Sequence, residues 1–198
     1  MGGLAMTAPL PDHELAHLLE AYEHLEVPEG HRAELIGGEI VISPSPTNFH
    51  NWIYGSLHYL LAQETRPRGW AVTNTTTVFL PATDERFIPD LIVCPADALL
   101  RDPDEWRFAA EDVLLAAEIT SPSTARRDRG PKIWGFAHSQ VPIYLLVDPH
   151  DGDGNTTVHW NPDGEGRYRD VRRVGFGEKL HLPEPFSIDL DTSVFLKP

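Results

Sequence analysis

Two acidic residues interrupt two of the most apolar segments of the chain. Asp90 lies within residues 87–94, FIPDLIVC, and Glu118 lies within residues 113–119, VLLAAEI. Both segments are short and mostly apolar, which predicts buried strands. A buried carboxylate is unfavourable unless it is paired, protonated or bound to a metal ion. If the two strands are neighbours, the two carboxylates can converge on one cation.

Ligation by two carboxylates, completed by water and a substrate phosphate, suits Mg²⁺ or Mn²⁺. Such an ion can activate water and stabilise the charge that develops on a phosphate. The alternative is that Asp90 and Glu118 each mark the end of a strand and bind backbone N–H groups or an arginine. The sequence leaves both interpretations open.

Lys132 is a further candidate because it is the only lysine in the first 178 residues. A compact ammonium can move to meet a water molecule or a phosphate, and its pKa is easily shifted. The alternative is an exposed lysine in the first turn of a helix.

The pattern around these residues predicts an α/β chain with a mixed sheet. Helices are predicted at 13–25, at 48–65 and from about 128 to 140, extended segments at 70–80, 87–94, 112–120 and 142–147, and hairpins at 32–43 and across 156–161 and 168–174. Asp128 is the predicted N-cap of the third helix, with Pro131 in its first turn. The strand–helix–strand order at 112–147 predicts a parallel pair with a right-handed crossover.

The length of 198 residues fits one domain, with a core at about 30–150, a β-rich addition at 151–198 and a flexible start at 1–11. Cys94 is the only cysteine, which excludes a disulfide framework within one chain and suits a cytoplasmic location. The sequence has no apolar run of membrane-spanning length, and residues 1–11 do not have the pattern of a signal peptide. We therefore expect no membrane association.

The net charge of −14 argues against a nucleic-acid-binding protein but does not exclude one, since a bound cation changes the local sign. Basic residues form two short runs. The first contains Arg126, Arg127, Arg129 and Lys132, and the second contains Arg167, Arg169, Arg172 and Arg173. Either run is equally typical of a solvated, exposed face.

The sequence resembles the Uma2 family of restriction-endonuclease-like proteins over about residues 30–150. The resemblance rests on Pro89-Asp90, residues 118–124 (EITSPST), Asp128 with Lys132, residues 147–149 (VDP), and residues 34–41 (ELIGGEIV) followed by Ser43-Pro44 and His50. It implies a PD-(D/E)XK nuclease core, with an N-terminal helix and hairpin and a C-terminal β-hairpin added.

The resemblance also implies roles for individual residues. Asp90 matches the motif aspartate and Glu118 matches its acidic partner. The usual lysine two positions after that acid is replaced by Thr120, and the resemblance suggests that Lys132 takes its place. Glu34 and His50 match auxiliary family positions to which we assign no role. The chain departs from the family pattern at Phe136, where tyrosine is common, and at Ile143 and Leu145, where glutamate and tryptophan are common.

Two other motifs in the sequence are typical of different enzymes. Residues 13–17, HELAH, match the HExxH motif of zinc proteases, but His13 and His17 fall on the helix face opposite the leucines, so we expect them to be solvated. Ser121 and Ser123 lack the G-x-S-x-G context of a hydrolase nucleophile.

The sequence therefore predicts an endonuclease that uses Mg²⁺ or Mn²⁺ to hydrolyse DNA, with Asp90 and Glu118 as metal ligands. The cation and Lys132 would orient and deprotonate the attacking water and stabilise the charge on the phosphate. A non-catalytic nuclease-fold module for binding or assembly is the alternative, and a zinc protease is a distant third. By analogy with nucleases that cut both strands, a homodimer is expected.

Overall fold

A computed structural model describes residues 12–197 of the chain. The expectation of a flexible start at residues 1–11 lies outside these residues. The described part contains helices α1 (Asp12–Glu23), α2 (Asn48–Thr65), α3 (Ala96–Leu99), α4 (Ala125–Asp128) and α5 (Pro131–His138). None of these helices is long and apolar enough to cross a membrane.

Strands lie in runs between most of these helices and after the last of them. They are β1 (His31–Ile36), β2 (Glu39–Pro44), β3 (Trp70–Thr73), β4 (Thr77–Leu80), β5 (Glu85–Phe87), β6 (Leu91–Pro95), β7 (Arg107–Ala109), β8 (Leu115–Ile119), β9 (Ile143–Asp148), β10 (Asn155–Pro162), β11 (Tyr168–Gly175), β12 (Lys179–Leu182) and β13 (Ile188–Asp191). The α/β class with mixed sheets is confirmed.

A six-stranded sheet forms the centre of the fold, in the order β11-β10-β9-β8-β6-β3. Strands β8 and β9 are parallel and are connected through α4 and α5, as the strand–helix–strand pattern predicts. The other neighbours in this sheet are antiparallel. The hairpin of β10 and β11 therefore extends the central sheet, while β12 and β13 form a separate pair.

Each face of the central sheet has its own apolar core. On one face, Ile53, Leu57 and Leu61 of α2 pack against residues such as Leu115 and Leu145. On the other face, Ile92, Ala116 and Tyr144 pack against α5 and a second sheet, in the order β2-β1-β5-β4-β7. By strand alternation, Asp90 and Glu118 belong to this second face.

Two predicted segments differ from the structure. The single extended run at 70–80 is wrong, because Thr75 adopts a positive φ of 55° and the chain passes from the central sheet (β3) to the second sheet (β4). The helix predicted from Asp128 is also wrong at its start. The helical turn of α4 ends at Asp128, the chain breaks at Arg129, and α5 begins at Pro131 with Gly130 as its N-cap.

The amphipathic helix at the start of the described chain lies where the pattern indicates. Leu15, Leu18 and Leu19 are half-buried on the side of α1 that faces the hairpin, and the Tyr22 hydroxyl donates to the Ala33 carbonyl oxygen at 3.2 Å. His13 and His17 are exposed on the opposite side, as expected.

Two helical glycines provide a test of the packing of α5 against the second sheet. A Cβ atom at Gly135 would lie 2.6 Å from Cε2 of Phe87, whereas a Cβ atom at Gly55 of α2 would meet nothing within 4 Å. We expect Gly135→Ala to lower the free energy of unfolding by about 1–3 kcal/mol through overpacking. Gly55→Ala should raise it by roughly 0.5–1 kcal/mol, the ordinary gain of alanine over glycine in a helix.

Urea unfolding of the two variants and the unsubstituted protein measures both changes. An increase in stability for Gly135→Ala equal to that for Gly55→Ala would mean that α5 does not approach Phe87 as closely as described.

Candidate active site

Asp90 and Glu118 lie opposite each other on neighbouring strands. Strands β6 and β8 pair Leu91 with Ala117, so one step further in the antiparallel register sets Asp90 across from Glu118. Side chains at such positions have their Cβ atoms about 5 Å apart on one face of a sheet. The backbone N–H of Ile119 donates to Oδ2 of Asp90 at 2.9 Å. The two carboxylates therefore share a face of the central sheet.

The ammonium of Lys132 lies between carboxylates from three directions. Its Nζ atom is 2.8 Å from Oε1 of Glu118, 2.7 Å from Oε1 of Glu34 and 3.9 Å from Oδ1 of Asp128. The lysine side chain is only 2% exposed. Lys132 thus contacts Glu118 directly, and the alternative of an exposed first-turn lysine is excluded.

Charge keeps this lysine protonated despite its burial. Burial alone favours the neutral amine, but Glu118, Glu34 and Asp128 outweigh it and hold the pKa of Lys132 above its ordinary value. Glu34 is itself fixed by the backbone N–H of Ile88, which donates to its Oε1 at 2.8 Å. Lys132 therefore acts as a permanent positive charge.

Asp90 is held by a second set of groups. Its Oδ1 accepts from Nη2 of Arg32 at 3.1 Å, and its Oδ2 lies 3.0 Å from Nε2 of His50. Burial raises the pKa of Asp90, but His50, Arg32 and the Ile119 N–H outweigh it and keep the pKa below its usual value. An arginine and a backbone N–H are the partners that the strand-end interpretation anticipated, so Asp90 is an ionised carboxylate with structural partners.

Arg32 and Asp128 also belong to this cluster, although the sequence pattern predicts no site role for either of them. Arg32 lies two residues before Glu34 on β1, so strand alternation placed both on one face, but nothing local indicated that this face meets Asp90. Asp128 was interpreted as a helix cap. Instead its carboxylate is buried, with Oδ2 lacking any hydrogen-bond partner in the described part of the chain, and burial raises its pKa to about 6.

With every carboxylate ionised, the cluster would carry more negative than positive charge. Four buried carboxylates, those of Glu34, Asp90, Glu118 and Asp128, face two permanent cations, Arg32 and Lys132, together with His50. Burial raises the pKa of Glu118 well above its usual value, with Lys132 opposing this and the neighbouring carboxylates adding to it. Such an excess of buried negative charge favours uptake of a proton or a cation.

The acidic groups of the cluster are not arranged as a set of metal ligands in the described part of the chain. Within residues 12–197, no three His, Cys, Asp or Glu side chains come together in a way that could hold a metal. The same finding covers His13 and His17 of the HExxH motif, which are exposed and have no third ligand among the described residues. A zinc-protease site is therefore not formed in this part of the chain.

Comparison with known proteins agrees with this architecture. A crystal structure from Anabaena variabilis, described as "a putative nuclease", superposes with a TM-score of 0.71 over 90% of this chain and 98% of that one, at 18% sequence identity. No curated protein shows a significant match to the sequence. The family model described as "Putative restriction endonuclease" matches residues 19–194, so the chain belongs to the Uma2 family.

Proposed function

We propose that the protein is a Mg²⁺- or Mn²⁺-dependent endonuclease that hydrolyses phosphodiester bonds of DNA. The observation that carries the proposal is the pairing of Asp90 and Glu118 across β6 and β8, with Lys132 2.8 Å from Glu118. Membership of a family whose model is described as "Putative restriction endonuclease" supports the reaction class.

The donor groups suit a hard divalent cation. Asp90 and Glu118 would supply carboxylate oxygens, the ligand type that Mg²⁺ and Mn²⁺ prefer. The excess of carboxyl groups over cations in the cluster is consistent with one further positive charge, as is Oδ2 of Asp128, which has no hydrogen-bond partner among residues 12–197. When bound, a divalent cation supplies Lewis-acid stabilisation of a phosphate and an acidified water.

The side chains of the cluster have distinct roles in this proposal. Lys132 keeps a positive charge beside Glu118, so it stabilises negative charge and does not remove a proton from water. Arg32 is partly exposed and contacts Oδ1 of Asp90, so it is the partner that would give way when Asp90 binds an ion. His50 fixes the other oxygen, Oδ2. Arg32 and His50 thus set the position of Asp90 before any ligand arrives.

A non-catalytic module is the second candidate. The observation that favours it is the complete set of protein partners on Asp90, which a purely structural carboxylate would also have. Such a module would keep the fold and the cluster but would neither bind a divalent ion there nor cut DNA.

Cleavage of DNA and binding of Mn²⁺ together separate these two functions. We expect the unsubstituted protein to nick or linearise plasmid DNA with Mg²⁺ or Mn²⁺. Asp90→Asn and Glu118→Gln should each lower the rate by about 100-fold or more, because an electrostatic contact to the reacting groups is lost. Both should also weaken Mn²⁺ binding measured by calorimetry without DNA.

Glu39→Gln is the matched control, because Glu39 is an exposed carboxylate on β2. It should leave cleavage and Mn²⁺ binding unchanged. If the unsubstituted protein neither binds Mn²⁺ more tightly than Glu118→Gln nor cuts any DNA tested, the endonuclease proposal is wrong and the module is favoured.

Lys132 provides an independent test based on stability. Lys132→Met leaves Glu34 and Glu118 buried without their shared cation, which should lower the free energy of unfolding by about 3–5 kcal/mol. Lys197→Met, at an exposed lysine near the C-terminus, should change stability little. Urea unfolding without metal makes the comparison.

Alanine substitutions of Lys132 and Asp90 address catalysis. Where Lys132→Ala remains folded, it should cut DNA far more slowly than the unsubstituted protein under conditions in which Asp90→Ala is also impaired. Equal cleavage by Lys132→Ala and the unsubstituted protein would show that another residue supplies the positive charge.

A further inference from the structure

The two runs of basic residues differ in their distance from the candidate active site. The first run, at 126–132, connects β8 to β9 and lies directly after Glu118. The second run, at 167–173, lies on and beside β11, the edge strand three places from β8. Neighbouring strands are about 4.8 Å apart, so the second run is roughly 14 Å or more from the carboxylates. Only the first run adjoins the candidate active site.

Within the first run, Arg129 forms an ion pair with the buried carboxylate of Asp148. Its Nε donates to Oδ2 of Asp148 at 2.7 Å, and its Nη2 lies 2.5 Å from the same oxygen. Asp148 is buried at the end of β9, whereas 43% of the Arg129 side chain is exposed. The guanidinium is therefore held on one edge and open to solvent on the rest.

Asp148 is itself firmly oriented. Its Oδ1 accepts from the Thr120 hydroxyl at 2.7 Å and from the His150 N–H at 3.2 Å. Burial raises the pKa of Asp148, but the hydrogen bonds from Thr120, Arg129 and His150 outweigh it and keep the pKa below its usual value. Asp148 is thus an ionised carboxylate whose contacts fix the direction of Arg129.

The position of this group relative to Glu118 follows from the strand. Thr120 is two residues after Glu118 and on the same face, which is about 6.6 Å along a strand. Thr120 occupies the position at which the superfamily pattern has a lysine, and through Asp148 it brings an arginine to that side of the site. Lys132, by contrast, is sealed among carboxylates and cannot meet a ligand without breaking those contacts.

We infer that Arg129, oriented by Asp148, binds a backbone phosphate of the DNA beside Glu118. This inference rests on the proposed endonuclease function. A guanidinium suits the task because its planar set of N–H donors can bind a carboxylate on one edge and a phosphate on another. Arg129 is then a substrate-binding residue and Asp148 is a positioning residue.

Binding of a fluorescein-labelled DNA duplex tests the role of Arg129. The titration is done by anisotropy in Ca²⁺ at several salt concentrations, with the DNA checked afterwards to be intact. Loss of one phosphate contact should reduce the slope of log K against log salt by about 0.9, which weakens binding about eightfold at roughly 0.1 M salt. Arg129→Gln should show this change, and Arg129→Lys should recover the slope in part.

Arg172→Gln is the matched control for charge. Arg172 is exposed on β11 opposite Val158, which packs in the core on the α2 side of the sheet, away from Glu118. It should leave the slope unchanged. If the unsubstituted protein binds and cuts DNA but Arg129→Gln keeps its slope, or Arg172→Gln loses as much, this inference is wrong and the endonuclease proposal stands. If the unsubstituted protein neither binds nor cuts DNA, both are wrong.

A double-substitution cycle tests the positioning role of Asp148. Asp148→Asn should weaken DNA binding, and adding Arg129→Gln to it should weaken binding by much less than about eightfold, because the two residues act as one unit. Asp151→Asn is the control, since Asp151 makes the exposed pair with Arg173 at 2.7 Å. Additive effects of Asp148→Asn and Arg129→Gln would contradict the positioning role.

Discussion

Lys132 lies where the central sheet, the second sheet and helix α5 meet. Its ammonium contacts Glu34 on β1 of the second sheet and Glu118 on β8 of the central sheet, and its backbone lies in the first turn of α5. Buried charges are tolerated only when they are compensated. The two sheets and α5 must therefore close around this lysine together. The absence of a side chain at Gly135, one turn further along α5, allows the close approach to Phe87 that brings Lys132 into reach.

The parts of the fold that depend on local sequence were predictable. The helix at 48–65 and the hairpin around Gly37-Gly38 match the structure because an apolar stripe and a turn sequence are each encoded within a few residues. The run at 70–80 failed for a physical reason: its β propensity is continuous, and only the packing of two sheets bends the chain at Thr75.

The candidate site was predictable to a similar extent. Asp90 and Glu118 could be found because a carboxylate in an apolar strand is energetically conspicuous, and Lys132 because it is the only lysine in a long stretch of chain. The partners of these residues could not be found in this way. Arg32 meets Asp90 across 58 positions of sequence. Asp128 has the helical i,i+4 spacing to Lys132, but the sequence pattern predicts it to be a helix cap because the break at Arg129 is not visible in the sequence.

The helix break at Arg129 also places two nearby positive charges of this strongly acidic chain in different environments. Lys132 is turned inward to Glu118, while Arg129, three residues earlier, is turned to Asp148 and solvent. An unbroken helix would place positions three apart on one face. The net charge of −14 therefore says little about the field at this edge of the sheet, where a buried negative cluster lies beside an exposed guanidinium.

His50 ties the candidate site to the hydrophobic core on the far side of the central sheet. It shares a stripe of α2 with Ile53, Leu57 and Leu61, since these residues follow one another at helical spacing. The apolar residues of this stripe are fully buried, while the His50 ring reaches Asp90. A rotation of α2 by one residue, about 100°, would expose that apolar stripe and would also move the imidazole of His50 away from Asp90. The packing of α2 in the core therefore fixes the position of the contact between His50 and Asp90, although no apolar residue of α2 belongs to the candidate site.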